Sequence, residues 1–94
     1  MRIAWLPIAE CTLESQLTYI GERNPWAAID IGDAIEGAVQ RLMHHPQMGR
    51  PGRVPGTREL VVAGTPYVIA YRVEPDAVVI LRLLHGAQQW PDEL

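Results

Sequence analysis

The hydrophobic pattern of the first half of the chain changes from a short alternation to two helical stripes. Residues 2–6 alternate weakly and predict a short strand. Apolar residues then recur every three or four positions over 8–22 and again from 25 to about 45, which is the spacing of one helix face. Pro7 suits the first turn of the first helix, and Asn24 is the expected N-cap of the second. Because their connection is so short, the helices are predicted to form an antiparallel hairpin.

The second half of the chain has the period-two pattern of a sheet. Residues 46–57 hold three prolines and three glycines, which predicts a loop. Three segments rich in Val, Ile and Tyr follow at 58–62, 67–73 and 77–84, and their short connections predict an antiparallel meander. The predicted order is β-α-α-β-β-β. This is an α+β fold with the meander sheet packed against an N-terminal helical hairpin, in a single domain over 1–94.

Charge is distributed unevenly along the chain, although its formal sum is only −3. Residues 1–42 carry three arginines against six acids, whereas residues 43–73 carry four arginines against one acid. All eight basic residues are arginine, whose planar guanidinium suits phosphate and carboxylate groups. The acidic total argues against binding nucleic acid through charge alone, so any basic site is expected to be local.

Several classes of protein are disfavoured by simple features of the sequence. The single cysteine, Cys11, allows neither an internal disulfide nor a thiolate metal cluster. His44 and His45 are adjacent and point apart on a helix, where they complement its C-terminal dipole better than they bind a metal. No apolar run approaches a membrane span, and the first residues lack a signal peptide. We therefore expect a cytoplasmic protein without metal or cofactor.

Four segments carry a family resemblance in a fixed order along nearly the whole chain. They read NPWAA in the hairpin, PQMGR and GTREL around the first meander strand, PYVIAYRV on the second, and ILRLLHG followed by WP at the end. In this order the sequence resembles the RelE/ParE superfamily, and among its members the ParE-like plasmid stabilisation toxins. The resemblance implies a growth-inhibiting toxin of a bacterial type II toxin–antitoxin system, held in a hetero-oligomer by a cognate antitoxin.

The superfamily divides by target, and the resemblance leaves three hypotheses. ParE-like members poison DNA gyrase without chemistry of their own, and this hypothesis is favoured by the acidic net charge. RelE-like members are metal-free endoribonucleases that cleave messenger RNA on the ribosome. Residues 87–89 read Ala-Gln-Gln where basic or aromatic side chains would help to grip RNA, which weakens that alternative. The third hypothesis is a degenerate module that binds its antitoxin and poisons nothing.

A ribonuclease of this family would need Arg58, Arg82 and His85 as its catalytic residues. His85 would shuttle the proton, because histidine titrates near neutrality, and the two arginines would clamp the scissile phosphate. These groups would meet if the loop folded over the ends of the first and last meander strands. Structural roles are equally open: Arg58 could pair with an acid such as Asp76, and His85 could be an ordered strand end.

Target binding and antitoxin binding are expected to use the loop and the tail. Arg50, Arg53 and Trp90 are the predicted target-binding residues. Trp26 could be an exposed aromatic anchor for a partner, but packing onto the sheet edge is the preferred prediction. The antitoxin is expected to be disordered alone and to order on binding as a helix or an added strand. Its acids would neutralise Arg50, Arg53 and Arg58.

Overall fold

Two helices and five strands make up the fold in the computed structural model, which describes residues 1–86, 90–91 and 93–94. In chain order the elements are β1 (Arg2–Trp5), α1 (Pro7–Arg23), α2 (Pro25–His44), β2 (Arg50–Pro51), β3 (Arg58–Val61), β4 (Tyr67–Val73) and β5 (Ala77–His85). The predicted α+β class, the helical hairpin and the three meander strands are confirmed.

The hairpin turns on a single residue, Asn24, which ends α1 and begins α2. Its backbone N–H donates to the Ile20 carbonyl at 2.8 Å, and its side-chain oxygen accepts from the Ala27 N–H at 3.2 Å. Pro7 occupies the first turn of α1, where a missing N–H leaves no bond unmade. One asparagine therefore satisfies backbone groups of both helices, which explains how the connection can be so short.

The sheet differs from the prediction in two strands. Its order is β1-β5-β4-β3-β2, with β1 parallel to β5 and every other neighbouring pair antiparallel. The sheet is thus mixed, because β1 uses the open edge of β5. The short strand β2 lies inside the predicted loop, where Arg50 pairs with Glu59 and Pro51 with Arg58. Proline is tolerated in a strand at such an outer edge.

The core lies between the helical hairpin and one face of the sheet. Ala9 of α1 and Ile35 and Leu42 of α2 pack in the same buried cluster as Ile69 and Tyr71 of β4. Both helices therefore cover one face, as the two apolar stripes predicted. Over the described residues, neither helix has the length and apolar content needed to cross a membrane.

Trp26 does not pack onto the sheet edge, and that prediction is wrong. Its side chain is 77% exposed in the first turn of α2, whereas the buried residues of that helix begin at Ile35. The beginning of α2 therefore extends past the core, so an aromatic residue there has no surface to cover. Ile29 in the same part of the helix is 54% exposed.

Candidate functional site

The loop between α2 and β3 is anchored by the buried hydroxyl of Tyr71. This hydroxyl donates to the Pro46 carbonyl at 2.8 Å and accepts from the Gly49 N–H at 2.9 Å. Burial raises the pKa of Tyr71 above 10.0, and the Gly49 N–H and the Arg58 charge lower it less. A Cβ on Gly49 would collide with the Tyr71 hydroxyl and lie 2.9 Å from the Glu59 carbonyl oxygen. The loop therefore requires glycine at this position.

Arg58 belongs to the same anchor. Its Nη1 donates to the carbonyl oxygens of Gly49 at 2.7 Å and Gln47 at 3.3 Å. The acid that sequence reasoning offered as its partner, Asp76, lies instead 4.0 Å from Arg2. The contacts of Arg58 are therefore structural in kind, although they are made with loop carbonyls and not with a carboxylate.

Glu59 is a buried carboxylate that binds two parts of the loop at once. Its side chain lies on the sheet face away from the helices and is 3% exposed. One carboxylate oxygen accepts from Nε and Nη2 of Arg50 at 3.2 and 3.1 Å, and the other accepts from the Arg53 backbone N–H at 3.0 Å. Sequence reasoning missed this residue. The available signal was one acid among four arginines between residues 43 and 73.

The loop also contacts the tail of the chain. The guanidinium carbon of Arg53 lies 3.8 Å from the centroid of the Trp90 ring, the geometry of a cation–π contact. Arg50 keeps 56% of its side chain exposed while it pairs with Glu59. The structure thus places the three predicted target-binding residues in one region, and we name Arg50, Arg53 and Trp90 the loop–tail surface.

The three predicted ribonuclease residues are not brought together by the sheet. Arg58 pairs with Tyr71 on the face that carries the core, whereas Arg82 pairs with the next residue of β4, Ala70, and so lies on the opposite face. His85 pairs with Tyr67, which precedes Tyr71 by four residues in β4. This separates His85 from Arg58 by roughly 13 Å along the strand direction. The three residues therefore do not converge on one site, because strand register and the alternation of side chains keep them apart.

Arg82 and His85 each make local contacts where they lie. Arg82 Nη1 donates to the Leu81 carbonyl at 2.7 Å, at the irregularity between β4 and β5. The His85 ring meets the Tyr67 ring edge to face, with centroids 5.7 Å apart. The Tyr67 hydroxyl donates to Gln16 at 2.8 Å, and burial raises its pKa. His85 thus occupies an ordered strand end, the structural role considered for it.

Two further residues considered in the sequence, Cys11 and His44, lie on the helices. Cys11 is exposed on α1, and His44 lies in the last turn of α2. Within residues 1–86, 90–91 and 93–94 there is no cluster of three His, Cys, Asp or Glu side chains suited to a metal ion. The Ala-Gln-Gln segment at 87–89 lies outside the described residues.

A groove of about 800 Å³ runs between the helical hairpin and β1. Its floor is apolar and its rim is acidic. The apolar lining includes Ile3, Trp5, Leu13, Leu17, Ile35 and Val39, and the acids are Glu10, Asp33 and Glu36. Such a surface fits an amphipathic helix whose apolar face enters the groove and whose flanks are basic. We name it the hairpin groove.

Comparisons with a family model and with known proteins agree on the family of this chain. The family model described as the ParE toxin of the type II toxin–antitoxin system parDE matches residues 3–90. The toxin Y4kP of Sinorhizobium fredii is 44% identical over 93 residues, covering 99% of this chain and 96% of that protein. Toxin RelE1 of Caulobacter vibrioides is 35% identical, covering 78% of this chain and 80% of that protein.

A solved structure shares the fold as well. A chain of the chromosomal ParDE system from P. aeruginosa superposes with a TM-score of 0.79 at 26% identity, over 90% of this chain and 95% of that one. The predicted resemblance is confirmed by sequence and by structure, and the chain belongs to the ParE toxin family of type II toxin–antitoxin systems.

Proposed function

We propose that this toxin inhibits growth as a ParE-like poison of DNA gyrase, without cleaving RNA itself. The observation that carries the proposal is the separation of Arg58, Arg82 and His85 over two faces and two ends of the sheet. A protein that acts by binding needs no such group of residues, whereas a ribonuclease does.

Metal-free RNA cleavage needs a base, an acid and cations that converge on one phosphate. Arg58 already donates to two loop carbonyls, and Arg82 donates to the carbonyl before it. Bringing these side chains to His85 would require breaking those bonds. Arg82 would also have to pass to the other face of the sheet, and Arg58 would have to span the four residues of β4 that separate Tyr71 from Tyr67. The ribonuclease hypothesis therefore receives less support than the gyrase hypothesis.

The loop–tail surface is the region we propose for target contact. Tryptophan and arginine are the residue types that contribute most often to binding energy at interfaces. Here the Arg53 guanidinium already lies over the Trp90 ring before any partner arrives, so little side-chain freedom is lost on binding. Arg50 adds an exposed cation beside it.

We propose the hairpin groove as the site of the antitoxin. Arg50 is already paired with Glu59, and Arg58 already donates to loop carbonyls. These contacts weaken the expectation from the sequence that acids of the antitoxin neutralise both arginines. The acidic rim of the groove favours instead a segment that folds into a helix on binding and carries basic residues beside its apolar face.

Gyrase poisoning is tested with purified toxin, gyrase and supercoiled plasmid, by measuring the DNA held in cleaved complexes. We expect cleaved complexes with the wild type, and Arg53→Ala should need at least roughly tenfold more toxin for the same amount. Arg72→Ala is the matched control, because Arg72 forms an exposed pair with Glu74 at 2.8 Å. No cleaved complex at any wild-type concentration would refute the proposal.

The antitoxin site is tested with two exposed isoleucines. Ile29 lines the hairpin groove and is 54% exposed, whereas Ile8 is 51% exposed and does not line it. Ile29→Glu should weaken binding of the antitoxin encoded beside the toxin by roughly tenfold or more, since it places a charge where an apolar face docks. Ile8→Glu should change the dissociation constant little. Equal effects of the two variants would exclude the groove.

A further inference from the structure

The loop–tail surface is held in shape by a group that does not belong to it. Glu59 is 4% exposed, so the residue itself presents almost nothing to a partner. Its two carboxylate oxygens nevertheless accept three hydrogen bonds, two from the Arg50 side chain and one from the Arg53 backbone. A buried carboxylate is stable only when its oxygens are satisfied in this way.

The bond to the Arg53 backbone fixes where the Arg53 side chain begins. With its N–H held 3.0 Å from the carboxylate, Arg53 places its guanidinium over Trp90 at 3.8 Å. The same carboxylate directs Arg50, which pairs with Glu59 across β2 and β3. All three members of the loop–tail surface therefore depend on Glu59, directly or through Arg53.

We infer that Glu59 is the positioning residue of the target-binding surface: it sets Arg50 and Arg53, and through Arg53 the stacking on Trp90, in the arrangement that the target binds. This inference rests on the proposed function for the role of the surface. It adds a residue that touches no target and still determines how much of the toxin is competent to bind it.

The substitution Glu59→Gln tests this inference with little change of shape. An amide offers one oxygen acceptor and puts an N–H group against a donor in place of the other. The oxygen should stay with the charged Arg50 guanidinium, which donates two hydrogen bonds, so the bond to the Arg53 N–H is the one that is lost. Glu74→Gln is the matched control, because it neutralises an acid that directly follows β4 and whose partner, Arg72, lies outside the loop. Should Glu59→Gln fail to fold, Glu59→Asp keeps the charge and shortens its reach by one methylene.

Two measurements on the full chain distinguish positioning from general stability. The first is the NMR chemical shift of the Arg53 side chain, which the Trp90 ring current displaces while the two are stacked. The second is the toxin concentration that gives half-maximal cleaved complex with gyrase. We expect Glu59→Gln to remove most of the Arg53 displacement and to raise that concentration roughly tenfold, as if about one molecule in ten were competent. Glu74→Gln should change neither.

Each outcome separates this inference from the proposed function. Unchanged Arg53 shifts in a folded Glu59→Gln protein would overturn the inference even if gyrase were poisoned by the wild type. Loss of the Arg53 displacement with unaltered potency would overturn it too, because the surface would then not be the one that the target binds. A wild type that does not poison gyrase would refute the proposed function, and the Arg53 shifts alone would then decide whether Glu59 positions the surface.

Discussion

Removal of one oxygen atom, in Tyr71→Phe, should destabilise this protein far more than the same change at Tyr67. The Tyr71 hydroxyl is the bridge between the Pro46 carbonyl and the Gly49 N–H. Gly49 is buried, so its N–H would lose its partner without gaining water. A buried donor left in this way costs about 1–3 kcal/mol.

The magnitude converts directly into a melting temperature. For a domain of this length, 1 kcal/mol shifts the midpoint by about 4–8 °C, so a central cost of about 2 kcal/mol predicts a fall of roughly 8–16 °C. Tyr67→Phe removes a single bond to the side chain of Gln16, which is only partly buried, so water can replace the lost partner. Its cost should stay below about 1 kcal/mol.

The assay is thermal and urea unfolding of the three proteins, followed by circular dichroism at one pH. Equal losses for Tyr71→Phe and Tyr67→Phe would refute the argument, since it depends on the difference between a buried backbone donor and a hydrated side chain. A loss below about 0.5 kcal/mol for Tyr71→Phe would show that the loop adjusts without the bridge.

Three further predictions concern the same loop, the two tyrosines and the hairpin. Gly49→Ala should cost at least about 2 kcal/mol in urea unfolding, because the added carbon meets a backbone oxygen and the Tyr71 hydroxyl. Burial raises the pKa of both Tyr67 and Tyr71, so the stability these phenols give is complete below pH about 10 and is lost as the pH rises through their pKa values in the folded protein. The urea midpoint should therefore fall above pH about 10, and it should fall less steeply in Tyr71→Phe, which keeps only one of the two phenols. Asn24→Ala removes the side-chain cap of α2 and should cost about 0.5–2 kcal/mol, whereas a midpoint unchanged from the wild type would contradict the capping role.

The parts of the fold that could be predicted from sequence are those governed by neighbouring residues. Helix periodicity, the cap at Asn24 and the short turns of the meander all depend on residues a few positions apart. The parallel placement of β1 beside β5 depends on residues 75 positions apart, such as Arg2 and Ala77. The strand β2 escaped prediction because the prolines and glycines around it indicate a loop, and only its pairing with β3 makes it a strand.

The candidate site divides in the same way. Arg50, Arg53 and Trp90 could be proposed because arginine and tryptophan are typical of binding surfaces, and their role in target binding stays a prediction. The role of Glu59 could not be predicted. Alternation along β3 predicts that its side chains point to two opposite faces of the sheet, but it does not predict that Glu59, on the second face, is buried as well. Strand register likewise decided that Arg58 and His85 lie apart, and register is not written in the pattern of either strand alone.

The central claim is that this chain arrests growth by acting on DNA gyrase and not on messenger RNA. The most direct measurement maps new messenger RNA 5′ ends and DNA breaks in the same cells after brief expression of the toxin without its antitoxin. We predict DNA breaks at gyrase sites and messages whose ends match those of uninduced cells. New ends inside reading frames that disappear in His85→Ala, without DNA breaks, would contradict the account and identify a ribonuclease.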